Sequence, residues 1–296
     1  MDLERIQALP DARVRSLTGM TPAALAHLLG IVLPELVRRR DQAKRSRHGR
    51  KRAVGGGGKR TLTPAQEVLI VLIYLRHNVA HEVVGQMFSV SADTSENLFH
   101  EIVPLLRDLC PASRFDAEKR WKKGEPSWTP DALDRILVDT FETSVPRPSQ
   151  EPQQKRLYSG KKKRHTIKTQ IVTDTTGEIL DVDAGHRGPA ADKTILGESS
   201  VDEQFPKATK QADKGYHGAT DVEMPHRKPK GGELTSEHRE ENRQMASVRV
   251  HVEHGIRRVK AFKIVRENYR LATGLFPMVA SAVVGLAQMV RIIHEG

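Results

Sequence analysis

Cysteine is almost missing from these 296 residues. Cys110 stands alone, which excludes an internal disulfide and any zinc site built from cysteines, and fits a reducing cytoplasm. The first residues, MDLERIQALPDARV, contain no apolar segment of signal-peptide length, so export is not expected. Long hydrophobic runs are scarce as well. The one membrane-like stretch, LFPMVASAVVGLAQMVRII, is interrupted by Gly285, Gln288 and Arg291 and edged by Pro277. It reads as a buried C-terminal helix, and no membrane partner is expected. Negative charge is in deficit, with 37 Asp and Glu against 48 Lys and Arg, a formal charge of +11. A polyanionic partner follows from that balance. Residues 1–60 hold fourteen Lys or Arg and five Asp or Glu, about +9 of the total.

What is present divides the chain in two, as its length also suggests. Residues 22–40 carry apolar side chains at helical spacing behind Thr21 as cap and Pro22 in the first turn, and end in three arginines. From Lys44 to Arg60 there are eight Lys or Arg, no acids and four consecutive glycines, the composition of a basic linker. Residues 63–109 predict three helices, the first behind the cap TPAQ. The second and third are separated by SV, with Ser91 as the new N-cap, which is the spacing of a helix-turn-helix. In that motif the second helix enters the major groove, so Asp93, Thr94, Ser95 and Asn97 would form its exposed first turns, with Thr94 and Ser95 as DNA contacts. A three-helix packing unit without a DNA role fits the same pattern, since that surface lacks Arg and Lys.

Residues 111–131 contain three prolines and both tryptophans and mark the boundary between a helical domain at 1–115 and a second domain at 130–296. Beyond them come strand patterns, RILVDTFE, HTIKTQIVTD, TGEILDVDAG and ATKQAD, the middle two joined by a turn ending in Gly177. Helical patterns follow at 189–197, 237–262 and 276–294. The expected fold class is α/β: an all-α helix-turn-helix domain, then a mixed sheet flanked by helices.

Three acids stand out. Asp139 follows ILV where a buried run reaches a sheet rim; Asp213 ends the strand ATKQA; Glu253 lies in VRVHVEHGIRRVK, which as a helix aligns Arg249, Glu253, Arg257 and Lys260 along one face. Hard oxygen ligands of this kind suit Mg²⁺ or Mn²⁺ and phosphoryl transfer, with two ions about four ångströms apart. Each acid alone also has a structural reading, as strand end, turn former or helix ion pair. YSGKKKRH offers Lys161, Lys162, Lys163 and Arg164 as a DNA-backbone contact or a solvated loop. Tyr158, His165 and His217 receive no role.

The blocks VDTFE with VPRP, YSGKKKRHTIKTQIVTD, DKGYHG, KPKGGELT and NRQMASVRVHVEHGIRRVKAFKI occur in the order and spacing of the transposases of insertion sequence family five. The stretch from Ile136 to Leu271 resembles them, and the N-terminal helices look like their helix-turn-helix region. The resemblance implies a ribonuclease-H-like core of the DDE superfamily, with Asp139, Asp213 and Glu253 as catalytic metal ligands. In the signature Tyr, two residues, Arg, three residues, Glu, six residues, Lys, the last three match Arg249, Glu253 and Lys260; Ala246 replaces the tyrosine. The family's Asp-Gly-Thr-Glu is Asp-Thr-Phe-Glu here, and its histidine-aspartate element is reduced to Asp192 preceded by alanine. The resemblance implies a DNA transposase that cleaves the ends of an insertion sequence and transfers strands to a target. It would hold phosphates with Arg249 and Lys260 and act on double-stranded DNA in the bacterial cytoplasm as a homodimer or higher assembly; Arg257, on the same helix face, is a further candidate DNA contact. A helix-turn-helix regulator, an inactive descendant and a plain nuclease are the competing readings.

Overall fold

The computed structural model describes residues 3–45, 60–113 and 133–295. Most of the basic linker and the boundary segment with both tryptophans lie outside the described residues. The chain forms two compact units, one of Met1–Cys110 with Phe262–Ile264 and Gly285–Gly296, the other of Pro111–Ala261 with Val265–Val284.

The first unit is helical: α1 (Leu3–Gln7), α2 (Asp11–Thr18), α3 (Pro22–Arg45), α4 (Pro64–His77), α5 (His81–Met87) and α6 (Ala92–Leu109). α3 runs five residues past the expected end. α4 is its centre, buried at every position from Glu67 to Leu75, as expected of a helix apolar all round. A reciprocal capping box starts it: the Gln66 backbone N–H donates to Thr63 Oγ1 (3.3 Å) and the Thr63 N–H to Gln66 Oε1 (2.9 Å). Ser91 caps α6 through the Thr94 N–H at 3.2 Å. α5 and α6 pack on each other as a helix-turn-helix.

The second unit is a mixed sheet. β1 (Arg135–Ser144) leads to α7 (Glu151–Leu157), the two-residue β2 (Tyr158–Ser159), β3 (Arg164–Thr173) and β4 (Ile179–Arg187). After α8 (Asp192–Glu198) and α9 (Val201–Gln204) come β5 (Thr209–Ala212) and β6 (Val222–Glu223). β3 pairs antiparallel with β1 and β4, while β5 runs parallel to β1 and β6 parallel to β5. An antiparallel meander extended by parallel strands beside its first strand, with helices on the faces, is a ribonuclease-H-like domain. Ile136, Val138 and Val172 meet Leu180, Leu196 and Phe205 in the core beneath one face. The long α10 (Ser236–Val259) packs across β1, β3 and β5. The β3–β4 turn reaches this helix through Gly177, whose φ of +81° suits glycine and where a Cβ would stand 2.9 Å from His251 O. The chain closes with α11 (Lys263–Arg266) and α12 (Phe276–Glu295). α12 is long and apolar enough to cross a membrane, and most of its apolar stretch is buried inside the structure.

Candidate active site

Parallel pairing brings the first two acids together. β1 and β5 are in register through Val138↔Ala212, and the next residue on each strand is Asp139 and Asp213. β5 stops there, whereas β1 continues to Ser144 on its antiparallel side. Asp139 is therefore in mid-strand, not at a strand end as the sequence predicts. It nevertheless stands at a rim, because its parallel neighbour has left the sheet. Asp213 turns the chain into a short 3₁₀ segment, accepting the Gly215 N–H at 2.7 Å.

The third acid arrives from α10. Arg249 Nη2 lies 3.7 Å from Asp139 Oδ2 and 3.4 Å from Glu253 Oε1, so one guanidinium spans both carboxylates. The Glu253 side chain is 54% exposed against 18% for Asp139, which leaves it open to an approaching ligand. The buried Nε of Arg249 has no hydrogen-bond partner among the described residues. An unmatched buried donor between acids fits an anion.

A fourth carboxylate joins them. Side chains alternate along β1, so Asp139 turns to α10 while Thr140 turns to α8, where its hydroxyl donates to Asp192 Oδ1 at 2.7 Å. Lys168 of β3, itself buried, donates to the same oxygen at 2.8 Å and to Ala190 O at 2.6 Å. Gly215 fits between the acids with nothing to spare, since a Cβ would lie 2.8 Å from both Asp192 Oδ2 and Asp213 Oδ1. Sequence reading noticed Asp192 without giving it a part. The available signal was Lys168, the one charge within the buried stretch Thr166–Thr173 of β3.

This crowding sets the electrostatics. Burial pushes the Asp139 carboxyl up from 3.8 to about 6, Asp213 and Asp192 add to the rise, and the Thr140 N–H and Arg249 oppose it. Buried Tyr216 is raised well above the usual phenol value, by burial first and then by Asp139, Asp192 and Asp213. Lys260 follows α10 with its ammonium 4.9 Å above the Phe141 ring. Burial and then Lys162 lower its pKa, against Asp139 and Glu142. Lys162, in the exposed basic turn of Lys161, Lys162, Lys163 and Arg164, is thus within electrostatic reach of Lys260. Arg257 is exposed on α10 without a described contact to the acids.

Asp139, Asp213, Asp192 and Glu253 supply hard carboxylate oxygens, the donor chemistry that a divalent metal takes. The description "DDE superfamily endonuclease" matches residues 138–290, a stretch that spans Asp139, Asp213 and Glu253. The chain belongs to the DDE superfamily. "Helix-turn-helix of DDE superfamily endonuclease" matches residues 60–112, covering α4 to α6. Among relatives, the "Probable transposase for insertion sequence element IS702" of Microchaete diplosiphon is 27% identical over 292 residues, 97% of either chain. The "Putative transposase for insertion sequence element IS112" of Streptomyces albus G is 26% identical over 286 residues, 96% of either chain. No solved structure matches.

Within the helix-turn-helix one expectation fails. Ser95 is 1% exposed and is held at 3.0 Å by His81 Nδ1, because the first turn of α6 is pressed against α5. It cannot touch DNA in this packing. Thr94 is half-buried, its hydroxyl 3.0 Å from that of Ser91, while Asp93 and Asn97 are exposed as expected.

Proposed function

We propose that this chain is an insertion-sequence transposase. Its helical unit binds the element ends, and its sheet unit hydrolyses the phosphodiester at the boundary and joins the freed 3′ hydroxyl to target DNA. The observation that carries this reading is that Asp139 and Asp213 follow paired residues of β1 and β5, while Arg249 of α10, its buried Nε unmatched among the described residues, lies between Asp139 and Glu253. In hydrolysis water attacks phosphorus and the P–O3′ bond breaks, leaving a 3′ hydroxyl and a 5′ phosphate. In transfer that hydroxyl attacks a target phosphorus and displaces a target 3′ oxygen, so the number of phosphodiesters is conserved. Mg²⁺ or Mn²⁺ held by Asp139, Asp213 and Glu253 would activate the attacking oxygen and stabilise the leaving one. Arg249 and Lys260 hold the reacting phosphate, and Lys161 to Arg164 with Arg257 hold the flanking backbone, so binding weakens with salt. Asp192 keeps Lys168 and Thr140 in place behind Asp139.

The test is incubation of the full chain with a labelled duplex carrying its element ends, in Mg²⁺, Mn²⁺ or chelator. Metal-dependent nicks at the boundary and joined products are expected, and Glu253→Gln should abolish both while DNA binding persists. Tight binding without cuts would replace this reading with a regulator or an inactive descendant, and nicks without joining would indicate a nuclease. Two ends joined in one event call for a dimer or higher assembly, and a DNA-bound mass of one chain per pair of ends would exclude it.

A further inference from the structure

We propose that His226, His238 and Glu241 form a zinc site that fastens the segment after β6 to the start of α10. Nothing in the proposed transposition chemistry uses these residues. His238 and Glu241 lie three apart on α10 and share a face; His226 comes to them from the segment that follows β6. One donor atom from each of the three lies within 4.8 Å of the other two. Glu241 Oε2 is 2.5 Å from His226 Nε2, and the two imidazoles stack with centroids 4.0 Å apart and planes at 14°.

Two features separate this cluster from an ordinary polar surface. His226 is pinned by its backbone: its N–H donates to Asn242 Oδ1 at 2.7 Å, and Asn242 Nδ2 donates to its carbonyl at 3.2 Å. Asn242 adjoins Glu241, so the helix residue next to one ligand fixes the segment that carries another, the kind of support that orients metal ligands. Finally, among the described residues the intervening basic segment is tied by exposed contacts, Arg227 donating to Lys214 O at 3.0 Å and Lys228 reaching Glu233 at 3.7 Å. A crosslink here would order the approach to the helix that carries Arg249 and Glu253.

The donor set selects the metal. Two imidazole nitrogens and a carboxylate oxygen suit Zn²⁺ and are poor for Mg²⁺. With bonds of about 2.0–2.1 Å, tetrahedral zinc holds its ligands roughly 3.3 Å apart. Glu241 would swing out from His226 and His238 would close in from within 4.8 Å, with water at the fourth position. This is distinct from the all-oxygen set at Asp139.

The experiment titrates the chelator-stripped full chain with Zn²⁺ by calorimetry, and with Co²⁺ by visible absorption, which distinguishes four-coordinate nitrogen-containing sites from octahedral carboxylate ones. One equivalent of Zn²⁺, displacing a four-coordinate Co²⁺ spectrum, is expected to bind the wild type and equally the Asp139→Asn, Glu253→Gln double variant. His226→Ala and His238→Gln, with unchanged circular dichroism, should each weaken Zn²⁺ by at least ~100-fold, and Asn242→Ala by ~10–100-fold. Absence of Zn²⁺ binding, binding that survives both histidine variants, or binding that disappears with the Asp139 and Glu253 pair would overturn the site. None of those results bears on Mg²⁺-dependent cleavage, so this proposal and the transposase reading fail separately.

Discussion

The helical unit and the sheet unit both set acids among basic side chains, yet they balance them differently. In the helical unit Glu67, with its side chain 3% exposed, receives Arg40 at 2.6 Å and Arg60 at 2.7 Å. Arg40 also reaches Glu101 at 2.5 Å, and Arg39 reaches Asp108 at 2.9 Å. Hydrogen bonds from Arg38 and Arg39 pull the Glu35 carboxyl down to about 2. Every one of these acids has an arginine within bonding distance. In the sheet unit Lys168 answers Asp192 and a more distant Arg249 lies between Asp139 and Glu253, and Asp139 moves the opposite way, pushed by burial and then by neighbouring acids up to about 6. Neutralised networks hold a fold together, whereas acids left short of cations cost stability until a ligand arrives.

The largest expected effect comes from removing a charge at the deficient site. Asp139→Asn should slow cleavage by about 10³-fold or more, ~4 kcal/mol in the barrier. Without metal the same change should stabilise the protein, and the sign is set by the direction of the shift. Folded Asp139 holds its proton more tightly than the unfolded residue, so its penalty is absent below the usual 3.8 and complete above about 6. Denaturation in chelator should therefore show the variant equal to wild type near pH 3 and up to ~3 kcal/mol more stable near pH 7.5. A variant less stable at the higher pH would dissolve the contrast between the two units.

The converse change in the helical unit is Arg40→Met. It leaves Glu67 to Arg60 alone, and breaking the buried pair should cost up to about 3 kcal/mol in denaturant unfolding. Arg60 remains to limit the loss. An unaltered midpoint would mean that the helical network is ornamental. Smaller again is Asp192→Asn, which keeps the shape but weakens the hold on Lys168 and Thr140. Cleavage should fall ~10–100-fold with DNA affinity unchanged. A loss of affinity instead would make Asp192 part of the binding surface and not of the support behind Asp139.

What could be read in advance was local. Thr63 with Gln66, and Ser91 with the apolar spacing behind it, announce helices because capping and periodicity act within a turn or two. The β3–β4 turn announces itself through Gly177 for the same reason. Asp139 was legible as an acid after an apolar run and Asp213 as one closing a strand pattern, and Glu253 and Arg249 through the family signature. Their common rim was not, because it depends on β5 ending at Ala212 while β1 runs on. Asp192 stayed without a part because its partners are 24 and 52 residues away. α7, polar and seven residues long with no buried side chain, has no apolar stripe to announce it.

Ser95 shows the same limit within a correctly read motif, and gives the smallest test. Helical spacing placed it on the exposed first turn of α6, but the close packing of α5 buries it against His81, which itself stacks on Tyr74 at 4.0 Å. Ser95→Ala removes one hydrogen bond from a buried contact, so thermal or denaturant unfolding should register about 1 kcal/mol. The folded variant should bind element ends as the wild type does. Asn97→Ala, two residues on and exposed, should do the reverse, leaving stability unchanged and weakening DNA binding by about 1 kcal/mol, roughly fivefold. If Ser95→Ala weakened DNA binding while Asn97→Ala did not, the face of α6 turned to DNA would have to be redrawn, and α5 would have to move aside to expose it.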